Sequence, residues 1–386
     1  MSSSLTAYDP TLSKNALSNS PKLIPFNQIQ DILSRILSTE EGVHAILSSQ
    51  VEAFRLASAV PSKCASLPIQ TAGQIPYPPL TAGAGAQVCV KTGYAVDDTV
   101  LVSKYAAGGG KYSGNTGSVS VYDQKTLRLR AVLCDEGLLT EIRTAAAAVV
   151  ASRAALLAAG TNAKIVKVGL VGGGVQAIWH LRLLAASGVV DPSKITVVVK
   201  TQTQQSAAKF IQTMKNSTYP LDQRFTIEAH NDDNRFKGCQ IIHTVTPSRS
   251  PVLHLEDIDL PNGGQNSFLH ISAIGSDSPG KCELALDVLQ AADLCVVDSL
   301  LQTKERGEFQ PSRWESMKGD APIFSLCEIG SSIDESTGTF VVNHNRDEFG
   351  GTSDVGLFSI FDSSGMAIQD VQMAKIIVEQ LQKELQ

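Results

Sequence analysis

The spacing of apolar positions changes character twice along this chain. Ile29, Ile32, Leu33, Ile36 and Leu37 fall on one helical face, and that periodicity predicts helix across 29–58. Residues 60–86 are rich in Pro, Gly and Ala and read as loop, or as short strands with turns. Short apolar runs at 87–91, 99–104, 118–122 and 129–134 predict strands. Between the second and third lies AAGGGKYSGNTG, residues 106–117, too glycine-rich for regular structure and of the kind that lines a site. Residues 139–159 predict a long, alanine-rich helix.

From Lys164 onward, strand and helix alternate. Strands are expected at 165–171, 194–199, 225–230, 239–246, 267–274 and 294–298, with helices at 176–186, 204–214 and 283–292. This alternation predicts an α/β fold with a doubly wound parallel sheet. One more strand is expected at 355–361. A last helix, 366–385, carries Ala367, Val371, Ala374, Val378, Leu381 and Leu385 at spacings of four and three. That helix follows the completed sheet, so it is expected to pack back on the N-terminal part and make that domain discontinuous. The expected division is a flexible lead-in at 1–25, one domain from 26–150 with 345–386, and a Rossmann domain at 151–344.

The stretch KIVKVGLVGGGVQA, Lys164–Ala177, joins a strand to a helix through three glycines. Gly172, Gly174 and Ala177 fit the G-x-G-x-x-G/A turn of a dinucleotide-binding βαβ unit. The first glycine permits the turn, the second lets backbone approach a pyrophosphate, and Ala177 lets helix and strand pack closely. Val175 and Gln176 open the helix whose free N–H groups would face the diphosphate. On the pattern alone, a tight turn without ligand stays open. The next strand ends in Lys200 and Thr201, where an NAD-binding fold usually places an acid. Neither residue repels a 2′-phosphate, and Lys200 attracts one unless it is merely solvated. The expectation is therefore NADPH/NADP, with NAD second. Thr246, at the end of the 239–246 strand, is a further cofactor candidate.

Composition narrows the class. The chain has 386 residues, 43% hydrophobic and 18% charged, with a formal charge of −6 and no basic block, which argues against nucleic-acid binding. No apolar run is long enough for a membrane span, and the polar first twenty residues do not read as a secretory signal. Seven scattered cysteines without a C-x-x-C pair suggest a reducing, cytoplasmic setting and no zinc site. His243 and His270 sit in apolar strands and read as core residues.

Arg143 stands in the first turns of the alanine-rich helix, within DEGLLTEIRTAAAA. Its guanidinium could grip a carboxylate through two hydrogen bonds, and small neighbours leave room for one. A solvated helix arginine is the plain alternative. The chain resembles the ornithine cyclodeaminase/mu-crystallin family through VSKYAAGG around Lys104, DEGLLTEIRTAAA, VGLVGGGVQA, TVTPSRSPVL, AIGSDSPGKCEL, VVDSLLQTKERGE and FDSSGMAIQD, in family order. The resemblance implies a discontinuous α+β substrate-binding and dimerisation domain around the Rossmann domain, and a homodimer. It implies that Arg143 clamps the substrate carboxylate and that Lys104 contacts substrate near the reacting carbon. Lys91 lies thirteen residues earlier, where family members carry glutamate or lysine. An arginine common upstream in the family is missing from IPYPPLTAGAGAQ, and Lys91 is the candidate to replace its charge.

Ser248 is the main departure. Cyclodeaminating members carry an aspartate in T-V-T-A-D, and this chain has Thr244-Val-Thr-Pro-Ser248. A serine is no carboxylate base, so ring-closing deamination is disfavoured and Ser248 is carried as a substrate-binding candidate. The resemblance then implies NAD(P)H-dependent reduction of a C=N bond beside a carboxylate, as in a cyclic ketimine acid or the imine of a 2-oxo acid. Alanine-type amino-acid dehydrogenation, ornithine cyclodeamination and NADP-dependent ligand binding without turnover are the alternatives. Asp277, Asp298 and Glu283 read as structural, and Asp370 as the polar start of the last helix.

Overall fold

The structure is a computed structural model. It describes residues 20–58, 63–66, 72–74, 87–108, 116–159, 165–231, 236–262, 268–310, 313, 323–326, 332–334, 339–341 and 356–384. The expected α/β architecture is present.

The first layer begins with β1 (Lys22–Ile24), α1 (Phe26–Leu37) and α2 (Glu40–Ser58). The helix expected across 29–58 is thus two helices. They break where Thr39 Oγ1 accepts the Gly42 N–H. A Cβ on Gly42 would lie 2.0 Å from the Ile36 carbonyl, so only glycine allows the two helices to turn this closely. Strands β2 (Cys64–Ser66), β3 (Ala72–Gln74), β4 (Gln87–Ala95), β5 (Val100–Gly108), β6 (Thr116–Asp123) and β7 (Leu129–Leu133) follow. They form a sheet in the order β1-β7-β6-β5-β4-β2, with β3 also on β4. Only the β1–β7 pairing is parallel.

Helix α3 (Leu138–Ala158) buries residues around nearly its whole circumference. Alanines there let α2, α4 (Val175–Ala186) and the second sheet approach from several sides. The second sheet contains β8 (Lys167–Val171), β9 (Thr196–Lys200), β10 (Thr226–Ala229), β11 (Ile241–Thr244), β12 (Phe268–Ala273), β13 (Leu294–Val297) and β14 (Ile323–Ser325). Helices α5 (Gln204–Lys215) and α6 (Leu286–Gln290) lie among them, and β15 (Ser332–Asp334) pairs with β16 (Thr339–Val341) apart. The last elements are β17 (Leu357–Asp362) and α7 (Ala367–Lys383).

The parallel sheet runs β10-β9-β8-β11-β12-β17-β13-β14. Strands β9, β11, β12, β13 and β17 are buried on both faces, which their near-continuous apolar sequences reflect, whereas edge strand β10 is partly exposed. Strand order reverses between β8 and β11, and ligands of such sheets bind in the crevice beyond that switch point.

Three expected boundaries change. The division at 150/151 cuts through the continuous helix α3. Residues 22–24, assigned to the lead-in, form β1 on β7; residues 1–19 lie outside the described residues. Residues 357–362, assigned to the first domain, form β17 inside the parallel sheet, between β12 and β13. Only then does α7 pack against α1, α2, α3, β4 and β5. Both layers share one hydrophobic core. Phe54 of α2 meets Phe361 of β17 edge to face at 6.4 Å, a contact worth about 0.5–1.5 kcal/mol beyond burial.

Candidate active site

Lys91 on β4 and Lys104 on β5 are direct cross-strand partners, so both ammonium groups leave the same face of the sheet. Both are buried, as are Arg143 on α3 and Asp370 on α7. Lys104 Nζ donates to Asp370 Oδ1 at 2.9 Å, and Arg143 Nε donates to the same oxygen at 3.1 Å. Burial alone pushes the Asp370 carboxyl up; Lys104, Arg143 and Lys91 together outweigh it and hold it below the usual carboxylate range. Burial pulls Lys104 down from its ordinary value, against the opposing pull of Asp370. With Nε spent on Asp370, the outer two nitrogens of Arg143 remain to form a fork.

Lys91 Nζ donates to the carbonyls of Ser364 (2.9 Å) and Gly365 (2.6 Å). These lie in the turn between β17 and α7. Asp298, at the end of β13, holds that turn by accepting from Ser363 Oγ and the Gly365 N–H. Gly365 has φ +79, and a Cβ there would stand 2.7 Å from Arg143 Nη1 and 2.9 Å from Lys91 Nζ. The turn therefore needs glycine both for its dihedral and for the convergence of two cations. Burial pulls Lys91 down to about 8.

These cations line a cavity of about 430 Å³ whose opposite wall is the glycine turn. Gly172 takes φ +113 against the Val245 backbone, which a side chain would oppose. A Cβ on Gly174 would meet nothing within 4 Å, and Gly174 caps α4 without any side-chain hydrogen bond. The first N–H groups of α4 are thus open toward the cavity, and Ala177 is fully buried beneath them. Gly174, Val175, Gln176 and Thr246 line the same cavity as Lys91, Lys104 and Arg143. This open cradle fits a dinucleotide phosphate.

Glu283 anchors the far wall. It accepts from Thr244 Oγ1, from the N–H and Oγ1 of Thr246, and from the Gly275 N–H, at 2.6–2.7 Å. Burial, helped by neighbouring Glu308, pushes its carboxyl up to about 7 despite those bonds. A larger depression of about 620 Å³ lies on the outer side of α4 and α5, but it is open and its Arg182 is spent on Asp222 at 2.6 Å. No group of metal ligands occurs among the described residues, and no helix there is long and apolar enough to cross a membrane.

Residues 122–384 match the family model described as Ornithine cyclodeaminase/mu-crystallin family. The chain belongs to this family. An alanine dehydrogenase from Archaeoglobus fulgidus is 31% identical over 240 residues, 62% of this chain and 63% of that one. The chain spans about half to two thirds of the length of the curated relatives it matches. Among solved structures, an archaeal alanine dehydrogenase dimer with bound NAD superposes with a TM-score of 0.70 at 21% identity, covering 95% of this chain and 97% of the other. The Thermococcus litoralis Δ1-pyrroline-2-carboxylate reductase, in complex with NADH and L-proline, gives 0.68 at 20% identity, covering 94% and 98%. At these identities the two structures establish the family's fold in this chain.

Within that family fold, Lys91, Lys104, Arg143, Gly174, Val175, Gln176 and Thr246 come together. Ser248 does not reach the cavity. Its hydroxyl donates to the Ser250 carbonyl and closes a local turn, and Pro247 rather than the expected Ser248 lines the wall. Lys200 is not a free cation at the end of β9. It donates to the Val252 carbonyl at 2.9 Å and lies 3.5 Å from Asp257. Thr201 donates to the Thr203 carbonyl. His270 is satisfied by Ser359 and Ser272, whereas neither ring nitrogen of buried His243 has a partner. Asp370 is the residue that the sequence undervalued, because its amphipathic helix accounts for a polar first turn without any site. Of the glycine-rich loop, 109–115 lie outside the described residues.

Proposed function

We propose that the protein reduces a C=N bond flanked by a carboxylate, using a nicotinamide dinucleotide. The observation that carries this reading is the single cavity shared by Arg143, Lys104 and the open phosphate cradle at Gly174–Gln176. Arg143 presents its outer nitrogens to the substrate carboxylate, with Asp370 fixing the guanidinium plane through Nε. That grip orients the imine carbon, and positioning supplies much of the acceleration. Lys104, a buried ammonium of lowered pKa, gives its proton to the imine nitrogen while Asp370 stabilises its charge. The bound nicotinamide supplies the hydride.

NADPH is favoured over NADH because β9 ends in Lys200 and Thr201 instead of the acid that binds a ribose 2′-hydroxyl. Since Lys200 already serves Val252 and Asp257, the preference expected is modest. A homodimer is part of the proposal, as one structural relative is described as a dimer.

A second reading, alanine-type dehydrogenation, is favoured by the Archaeoglobus relative. Steady-state oxidation of NADPH and NADH separates the readings. Pyrroline-2-carboxylate and piperideine-2-carboxylate should be reduced without added ammonia. Turnover only of pyruvate with ammonia would favour the dehydrogenase, and no oxidation with any imine would overturn imine reduction.

A further inference from the structure

Two hydroxyls deep within helices satisfy themselves on the preceding turn. Ser152 Oγ of α3 donates to the Ala148 carbonyl at 2.8 Å, and Thr213 Oγ1 of α5 donates to the Lys209 carbonyl at 2.9 Å. Thr140 has no such outlet. It stands in the first turn of α3, and the residue four back, Glu136, precedes the helix in the left-handed region at φ +49. Its Oγ1 is buried and finds no hydrogen-bond partner among the described residues. A buried hydroxyl without a partner costs free energy, and an acceptor on a ligand removes that cost. Thr140 lines the same cavity as Arg143, and at a spacing of three residues the two side chains are neighbours on the helix. The other cavity-lining atom of this kind among the described residues, Gln176 Oε1, sits at the phosphate cradle on α4.

We propose that Thr140 is a third donor to the substrate carboxylate, beside the two outer nitrogens of Arg143. This rests on the imine-reduction reading of the same cavity. A carboxylate offers about four lone-pair sites, and the guanidinium fork takes two of them. The Thr140 hydroxyl takes one of the rest. Other charged groups on the wall do not replace this donor. Asp277 and Lys281 pair with each other at 2.7 Å, and Glu141, on the same turn as Thr140, repels an anion. A hydroxyl beside the guanidinium helps the clamp outweigh that repulsion. It also fixes the tilt of the carboxylate in the fork, and with it the direction of the C=N carbon.

The test is calorimetric titration of the full-length protein, saturated with NADP+, with cyclopentanecarboxylate, an unreactive ring acid of the proposed substrate's shape. Thr140→Val keeps the shape of the side chain and removes the donor. It should weaken carboxylate binding by about 10- to 100-fold, the worth of one hydrogen bond to a charged group, and leave the affinity for NADP+ unchanged. Its urea midpoint should equal or exceed that of the wild type, because an unpartnered hydroxyl leaves the interior. Thr140→Ser keeps the donor and should keep the affinity. No carboxylate binding by the wild type, or undiminished binding by Thr140→Val, would overturn the proposal, and so would a lowered urea midpoint or a loss confined to NADP+. Carboxylate binding that depends on Thr140, in a protein that oxidises NADPH with no imine, would sustain the anion site while sinking imine reduction.

Discussion

Asp370 accepts a hydrogen bond from Arg143 Nε at 3.1 Å across 227 residues of chain. The carboxylate thereby decides which edge of the guanidinium is left for a ligand. Arg143→Lys keeps a charge but loses the fork. It should lower kcat/KM by roughly 10- to 100-fold, mostly through KM. Wild-type steady-state kinetics in this variant would remove Arg143 from the clamp role.

Removing the carboxylate tests the other half of the pair. Asp370→Asn keeps the volume but leaves two buried cations without their counter-charge, at a cost of about 3–5 kcal/mol. Asp370 also supports the proton on Lys104. The alkaline limb of the kcat/KM profile should therefore move to lower pH, a change that a purely structural role would not cause. Chemical denaturation and a pH–rate profile on the same preparation measure both effects.

The two glycines of the turn should respond differently. Gly172→Ala forces a side chain into φ +113 against Val245 and should cost of order 1–3 kcal/mol in folding. Gly174→Ala meets open space and should fold normally. Its methyl projects into the phosphate cradle, so its dissociation constant for the dinucleotide should rise while its Tm without ligand stays near wild type. Comparison of apo and cofactor-loaded melting temperatures for the two variants checks the contrast.

Three buried imidazoles set an acid limit. Burial lowers His180 to about 4 and His270 to about 3, and holds His243 well below its ordinary value of 6.5. The unfolded chain binds these protons more readily, so their contribution to stability is complete above about 6.5 and is lost as pH falls below it. His243→Leu also removes two unpartnered ring nitrogens. Its urea midpoint should rise at pH 8 and rise further, relative to wild type, at pH 5. An equal gain at both values would exclude a titrating His243.

Local features were legible before any coordinates. The β8 turn is, because a strand, three glycines and a helix follow one another within fourteen residues. Arg143 and Lys104 were legible through short motifs. Asp370 was not, because its partners lie on β5 and α3 and only tertiary packing brings them to it. The partners of Lys200 and Ser248 were hidden for a related reason. Val252 and Asp257 engage the lysine from fifty residues away, and Ser250 captures the serine hydroxyl. The place of β17 was also hidden, since every buried parallel strand reads as an apolar run and carries no mark of its neighbours.

The position of β17 has a consequence for synthesis. Strands β12 and β13 each bond to β17 and not to one another. While the chain grows from its N-terminus, the sheet has two separate halves with bare inner edges until residues 357–362 emerge from the ribosome. The helix that carries Asp370 follows immediately. The ribosome thus delivers the closure of the parallel sheet and the counter-charge of the cation cluster in the same short stretch of translation, and a nascent chain stopped short of it has neither.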